Sequence, residues 1–211
     1  MDAATRSART RQMLEDCGAL ITDDHFVYAS GEHGPGWIAK DIVNLDPQRP
    51  RELGAMLAEA VAEQGIQTDL LCGPAIGGII CAQYTALGLG TRCIFAERQR
   101  ENGTETFELR RRYDEEVAGR RVLVVDDVIN TGHSTGLVLE AVRGAGGLVA
   151  GVATWINRGN VGAGELGVEH FVFLDEIRLP SIPAAECRLC AAAVPVNTHY
   201  AHGAEYLAGG E

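Results

Sequence analysis

The sequence predicts an α/β fold in which a parallel, twisted sheet is flanked by helices. Two observations point there. Short apolar runs of strand length recur at 69–72, 92–95, 121–126, 148–156 and 171–174, and stretches with apolar residues at helical spacing lie between several of them. Strands that alternate with helices in this way are joined by crossovers, which gives a parallel sheet covered on both faces. The composition agrees: 211 residues, 46% hydrophobic and 22% charged, are enough for one well-buried core and carry no bias to disorder. A single domain over 1–211 is therefore expected, with any ligand at the carboxyl ends of the strands.

In chain order, residues 6–17 show helical spacing. Residues 26–30 and 37–43 read as short strands around a glycine-rich turn at 31–36, forming a small N-terminal elaboration. Over 50–64, Leu53, Met56, Leu57, Ala60 and Val61 recur at helical spacing, and Gly65 closes the helix. The core begins after it, with a strand at 69–72, a helix at 78–87, strands at 92–95 and 121–126, a helix at 135–143, and strands at 148–156 and 171–174. Between 97 and 119 the pattern breaks into a charged, weakly periodic stretch, too polar for a core and long for a simple connection. It reads as either a solvated hairpin or a mobile lid over a site. Residues 201–211 read as a frayed end.

A formal net charge of -11 argues against nucleic acid as a partner, although a pocket on an acidic protein can still be locally positive. No window approaches the roughly 20 apolar residues of a membrane span, and residues 1–11 carry three arginines and no apolar run. The reading is a soluble, cytosolic protein with no membrane partner. Cys17, Cys72, Cys81 and Cys93 lie in apolar, regularly patterned surroundings and are expected to be reduced and buried. Cys187 and Cys190 form a CxxC that lacks a second ligand pair, and His25, His33, His170, His199 and His202 show no metal spacing. Lys40 is the single lysine.

The chemistry concentrates in Val122-Leu-Val-Val-Asp126-Asp127-Val-Ile-Asn130-Thr131-Gly132-His133-Ser134-Thr135. This is a buried strand with two acids at its carboxyl end, then a small polar turn, then the start of a helix. Hydroxyls and backbone N–H groups at a helix N-terminus suit a phosphate monoester. Two adjacent carboxylates just before it can accept hydrogen bonds from a vicinal diol, and a 5-phosphorylated ribose presents both groups. A bare Asp-Asp pair more often caps a turn; the fourteen-residue pattern is much more specific.

That segment resembles the signature for 5-phosphoribosyl-1-pyrophosphate (PRPP) in type I phosphoribosyltransferases. The resemblance implies that Asp126 and Asp127 bind the ribose hydroxyls and that Asn130, Thr131, Gly132, His133, Ser134 and Thr135 hold the 5-phosphate, with Asn130 standing where threonine is commoner. It covers nearly the whole chain and narrows to bacterial orotate phosphoribosyltransferases. Residues 18–20, 30–33 and 37–40 are similar to that group's N-terminal hood, expected over about 19–45 together with the C-terminal segment. Gly73-Pro74-Ala75-Ile76-Gly77-Gly78 resembles its pyrophosphate loop, where glycines let an anion approach the backbone. Phe95-Ala96-Glu97-Arg98 and Leu109-Arg110-Arg111 resemble its flexible catalytic loop, at about 97–119, and Asn157-Arg158 matches the position of a base-contacting arginine. The ending Glu186-Cys187-Arg-Leu-Cys190 is similar to a CPLC-containing tail in the same branch. Better-known members carry lysines where this chain has Ala29 and Gly77, and others in the catalytic loop.

The implied reaction is displacement of pyrophosphate from PRPP by a ring nitrogen of orotate, giving orotidine 5'-monophosphate in pyrimidine biosynthesis. Magnesium is the implied cofactor, held mainly by substrate. Arg98, Arg110, Arg111 and Asp127 are the implied catalytic residues, with Arg100 and Arg112 behind them, and a homodimer is implied because the loop often reaches a neighbouring subunit. Trp37, Ile38, Lys40 and Arg158 form the expected base site, an apolar face for stacking beside a cation for a carboxylate. Two other readings stand: a PRPP-dependent transferase for a different base, and a non-catalytic PRPP or nucleotide sensor.

Overall fold

In the computed structural model, which describes residues 1–101 and 103–209, the apolar runs of the sequence pair into one sheet. Helix α1 (Ala3–Asp16) starts at Asp2, whose carboxylate accepts from the Thr5 N–H at 2.8 Å and so satisfies one of the unpaired first-turn donors. Strands β1 (Leu20–Ile21), β2 (Phe26–Val27), β3 (His33–Gly34) and β4 (Trp37–Ile38) form two small antiparallel pairs, β1 with β4 and β2 with β3. The expected strand at 37–43 is only half correct, because Lys40–Val43 forms helix α2. β1 is two residues long, so its pairing with β4 ends at the Ala39 N–H, which donates to Ala19 O at 2.7 Å, and the turn of helix then buries Val43. Helix α3 (Gln48–Glu63) buries the Leu53, Met56, Leu57, Ala60 and Val61 stripe as its spacing requires.

The main sheet follows: β5 (Leu70–Pro74), α4 (Gly77–Leu89), β6 (Arg92–Glu101), β7 (Thr104–Glu108), α5 (Tyr113–Val117), β8 (Arg121–Ile129), α6 (His133–Gly144), β9 (Leu148–Asn157), α7 (Ala163–Leu166) and β10 (Phe171–Glu176). The strand order is β10-β9-β8-β5-β6-β7, parallel except for β7, which returns antiparallel on β6. Successive side chains point to opposite faces. Leu71, Leu123, Val125 and Ala153 therefore pack against α3 and α4, while Leu70, Val122, Val124 and Val152 pack against α6. Each fully buried Leu or Val stabilises by roughly 1.5–3 kcal/mol, and a sheet buried on both sides collects that contribution at every position.

The charged 97–119 stretch resolves into the β6–β7 hairpin and α5, so β6 runs six residues past the expected strand. The hairpin is anchored by Phe107, 5% exposed. After β10 come a 3-10 turn (Ala184–Glu186), α8 (Arg188–Ala191) and α9 (Gly203–Ala208). The expected frayed end is thus helical through Ala208 and anchored at its start, with Gly203 buried and 204–209 exposed, whereas residues 210 and 211 lie outside the described part. Backbone bonds explain the docking: Asn197 N–H donates to His25 O at 2.7 Å, and His202 N–H to Val27 O at 2.9 Å. Among the described residues no helix is long and apolar enough to cross a membrane.

Candidate functional site

The chain leaves β5 through α4 on one face of the sheet and leaves the neighbouring β8 through α6 on the other. Their pairing stops at Cys72 and Val124, so a crevice opens between the two carboxyl ends, the position where such sheets take ligands. A cavity of about 580 Å³ fills it, walled by 74–78 at the end of β5 and the start of α4, and by Asp126 and 128–135 at the end of β8 and the turn that follows. A second cavity of about 400 Å³ adjoins it, sharing Lys40, Val128 and Asn130 and adding Trp37, Ile38, Arg158, His199 and Tyr200. The expected phosphate, pyrophosphate and base residues therefore occupy two connected chambers.

The two acids lie near the carboxyl end of β8, whose residues 122–127 are all buried. Asp127 is fully buried; one of its oxygens accepts from Lys40 Nζ at 2.9 Å and from the Val128 N–H at 2.7 Å, and the other has no partner among the described residues. Asp126 accepts from the Asp127 N–H at 2.9 Å, and the Thr135 hydroxyl lies 3.5 Å from its second oxygen. Burial, then the adjacent Asp127 charge, raises the Asp126 carboxyl well above its usual value, against the opposing pull of Lys40. For Lys40, burial is the largest influence and lowers its pKa, yet Asp127 and Asp126 together hold it above the usual value.

A raised acid in the folded state contributes stability that is full below its unfolded value, 3.8, and is lost as the pH rises through the folded one. Asp126→Asn abolishes that loss. The melting temperature of the variant relative to wild type is therefore expected to climb as the pH is raised from 4 through neutrality, read by ligand-free thermal melts. A pH-independent difference would contradict the assigned burial.

The turn after the acids is built to receive an anion. Gly132 adopts φ +74 and caps α6 without a side chain; the His133 N–H makes only a long contact of 3.4 Å to the Thr131 hydroxyl, and residues 131–135 line the cavity with the helix start. Across the crevice, a Cβ on Gly77 would stand 2.3 Å from Asp127 Oδ2 and 2.4 Å from Lys40 Nζ. Glycine is required there because the Lys40–Asp127 pair occupies the space. Asn130 accepts from Asn160 Nδ2 at 2.6 Å, which ties the turn to the loop after β9.

The arginines divide. Arg98 and Arg100 line the larger cavity; both pair with Glu105, at 3.1 and 3.0 Å, and Arg98 also donates to Ser134 Oγ at 3.2 Å. Arg110 and Arg111 lie outside it, paired with Glu108 at 3.8 Å and Glu97 at 2.9 Å, and Arg111 sits over the Phe95 ring. In the smaller cavity Trp37 is held between Phe26 and Tyr28, with centroids 6.1 and 6.4 Å away. Arg158 is buried, its Nε has no partner, and burial weakens its hold on the proton against the opposing pull of Tyr28. Sequence reasoning missed Glu105, His199, Tyr200 and His202 as lining residues; His202 comes from the segment read as a frayed end, and His199 and Tyr200 lie just before it, where no local periodicity marks them.

Taken together, the chambers offer an anion cradle, two carboxylates for hydroxyls, and an apolar slot ending in a buried cation. Residues 43–182 match the phosphoribosyl transferase domain. The orotate phosphoribosyltransferase of Pelotomaculum thermopropionicum is 39% identical over 87% of this chain and 91% of its own length. The same-named protein of Caulobacter vibrioides is 34% identical over 85% and 89%. Among solved structures, orotate phosphoribosyltransferase from Aeropyrum pernix superposes with a TM-score of 0.64 at 25% identity, covering 78% of this chain and 92% of that one. Adenine phosphoribosyltransferase from Thermoanaerobacter pseudethanolicus superposes almost as well, at 0.61 with 19% identity over 78% and 99%. The fold therefore does not select the base; the slot must.

Proposed function

The chain belongs to the phosphoribosyltransferase family, and from that premise we propose that it transfers the phosphoribosyl group of PRPP to orotate, releasing pyrophosphate and forming orotidine 5'-monophosphate. The observation that carries the choice of base is Arg158, a buried guanidinium with an unpartnered Nε in the slot beside Trp37. A planar base bearing a carboxylate suits that pairing, and a neutral purine leaves the cation uncompensated.

In this reading a ring nitrogen of orotate bonds to C1 of the ribose as the C1–O bond breaks and its electron pair leaves with pyrophosphate, which takes up the proton that nitrogen loses. Asp126 and Asp127 accept from the ribose hydroxyls and face the cationic character that develops at C1. The 130–135 turn, with Asn130, Thr131, Gly132, His133, Ser134 and Thr135, holds the 5-phosphate. Pro74, Ala75, Ile76, Gly77 and Gly78 hold the departing diphosphate by backbone groups. Arg98 closes from the hairpin, released from Glu105 by the arriving negative charge. Trp37 and Ile38 stack the base, and Lys40 orients Asp127.

Magnesium fits this donor set: Asp126 presents a hard carboxylate to the cavity, Asp127 buried behind it keeps an unpartnered oxygen, and an ion that keeps water and substrate ligands needs few from the protein. When bound, it would neutralise charge on the diphosphate. Arg110 and Arg111 are exposed and do not line their own cavity, which favours a homodimer in which they serve the partner's site. The proposal also treats 1–211 as one cytosolic catalytic domain, with 19–45 and the C-terminal segment as its hood.

Pyrophosphate release from PRPP and magnesium, measured with orotate, uracil and purine bases in parallel, tests the proposal. Release with orotate alone is the expected result. Release with a purine would discard the assigned base, and PRPP binding without release for any base would turn the reading to a sensor.

A further inference from the structure

Two pairs of side chains that the sequence keeps far apart meet under the hood. His25 Nε2, His33 Nδ1, Cys187 Sγ and Cys190 Sγ all lie within 4.8 Å of one another. We propose that they form a tetrahedral Cys2His2 site for a zinc-type ion, distinct from the substrate magnesium, which pins the C-terminal segment onto the N-terminal hairpin.

The distances agree with a ligand shell. Zinc bonds of about 2.0–2.1 Å to nitrogen and about 2.3 Å to sulfur place tetrahedral ligands about 3.4 Å apart for N–N and about 3.6 Å for N–S. The observed separations are 2.9 Å for His25–His33, 3.6 Å from His25 to each sulfur, and 3.3 Å from His33 to Cys190. A purely hydrogen-bonded cluster explains them less well. His25 Nδ1 faces Val194 O at 2.8 Å and must carry the proton, leaving one lone pair on Nε2. Three groups converge on that lone pair, and one lone pair cannot serve three donors. A central cation satisfies all four ligands at once, and the Val194 bond then supplies the outer-shell acceptor that orients a ligating imidazole. The other ring is held edge-on by Tyr206, at 5.1 Å between centroids.

Thiolate and imidazole select a soft or borderline ion over magnesium. His25, His33 and Cys187 are buried, while Cys190 opens to solvent and leaves an access route for the ion.

The local structure has use for such a clamp. β2 and β3 are two residues each and α8 is four, lengths at which neither a hairpin nor a helix is stable alone. Beyond Cys190 the chain delivers His199 and Tyr200 to the smaller cavity and His202 to the larger one. The ion would thus fix a wall of the base slot without touching substrate.

Elemental analysis of the full chain, purified without chelator, is expected to give one zinc per chain. Cobalt exchange should give the intense ligand-field bands of a tetrahedral site together with thiolate charge transfer. Cys190→Ser and His33→Gln should lose the ion while Cys93→Ser keeps it, and chelation should lower Tm by roughly 5 °C or more. Both metal readouts need no substrate, so they stand or fall separately from the orotate assignment, and the wild-type cobalt spectrum decides even if a variant does not fold. Less than a tenth of an ion per chain, with no uptake of added zinc or cobalt and no change in Tm, would overturn the site, as would a Cys187–Cys190 disulfide in the freshly purified protein.

Discussion

Asp127→Asn is expected to reduce kcat/KM for orotate-dependent pyrophosphate release by roughly 100- to 1,000-fold while the protein remains folded. The carboxylate is fully buried at the end of β8, with one oxygen held by Lys40 and Val128 and the other free. A hydrogen bond to a charged acceptor contributes about 1.5–3 kcal/mol, and an acid facing a developing positive centre gains further in a water-poor crevice. A combined loss near 3–4 kcal/mol corresponds to that range of rate. The fold should tolerate the change, because asparagine keeps the shape, Lys40 can turn to solvent, and Asp126 is relieved of an adjacent buried charge. Steady-state pyrophosphate release together with a melting curve reads both effects. Activity within tenfold of wild type would remove Asp127 from the catalytic set.

Arg158→Leu is expected to raise KM for orotate by about 100-fold with a smaller change in kcat, since a guanidinium–carboxylate pair in a buried slot acts on bound base as much as on the transition state. Stability should hold or improve, because the variant removes a buried Nε that has no partner. That combination separates a binding role from a structural one. A lowered Tm with unchanged KM would make Arg158 a packing residue and leave the base assignment without support.

The phosphate-binding half of the candidate site was legible in the sequence because it is local. Strand, acids, turn and helix start are consecutive from Val122 to Thr135, so their relative positions follow from backbone geometry. The parallel sheet was legible for a similar reason: apolar runs buried on both faces leave a continuous signal. Elements whose conformation depends on a partner were read less well. Residues 40–43 carry apolar character that fits either a strand or one helical turn, and the two-residue length of β1 decided between them. Glu101 belongs to β6 only because β7 pairs with it, and α9 forms where the chain docks on β2.

Other parts were beyond any local signal. Lys40 reaches Asp127 across 87 positions, and Arg98 reaches Ser134 across 36. Arg98, Arg110 and Arg111 look equivalent as charges on one loop, yet Arg98 lies on β6 and lines the cavity while Arg110 and Arg111 follow the end of β7 and lie outside it. The histidines had no metal spacing, and the CxxC had no second pair, until folding brought His25 within 3.6 Å of Cys187, 162 positions away.

By itself, the sequence determined the α/β architecture, the anion-binding turn and the acids before it, since these depend on periodicity and on residues adjacent in the chain. The tertiary structure alone decided which cation meets which acid, which arginines face the cavity, and that two histidines and two cysteines share one centre. Those contacts close across long stretches of chain, and their geometry is set by how the sheet and hood pack, which no short window of residues records.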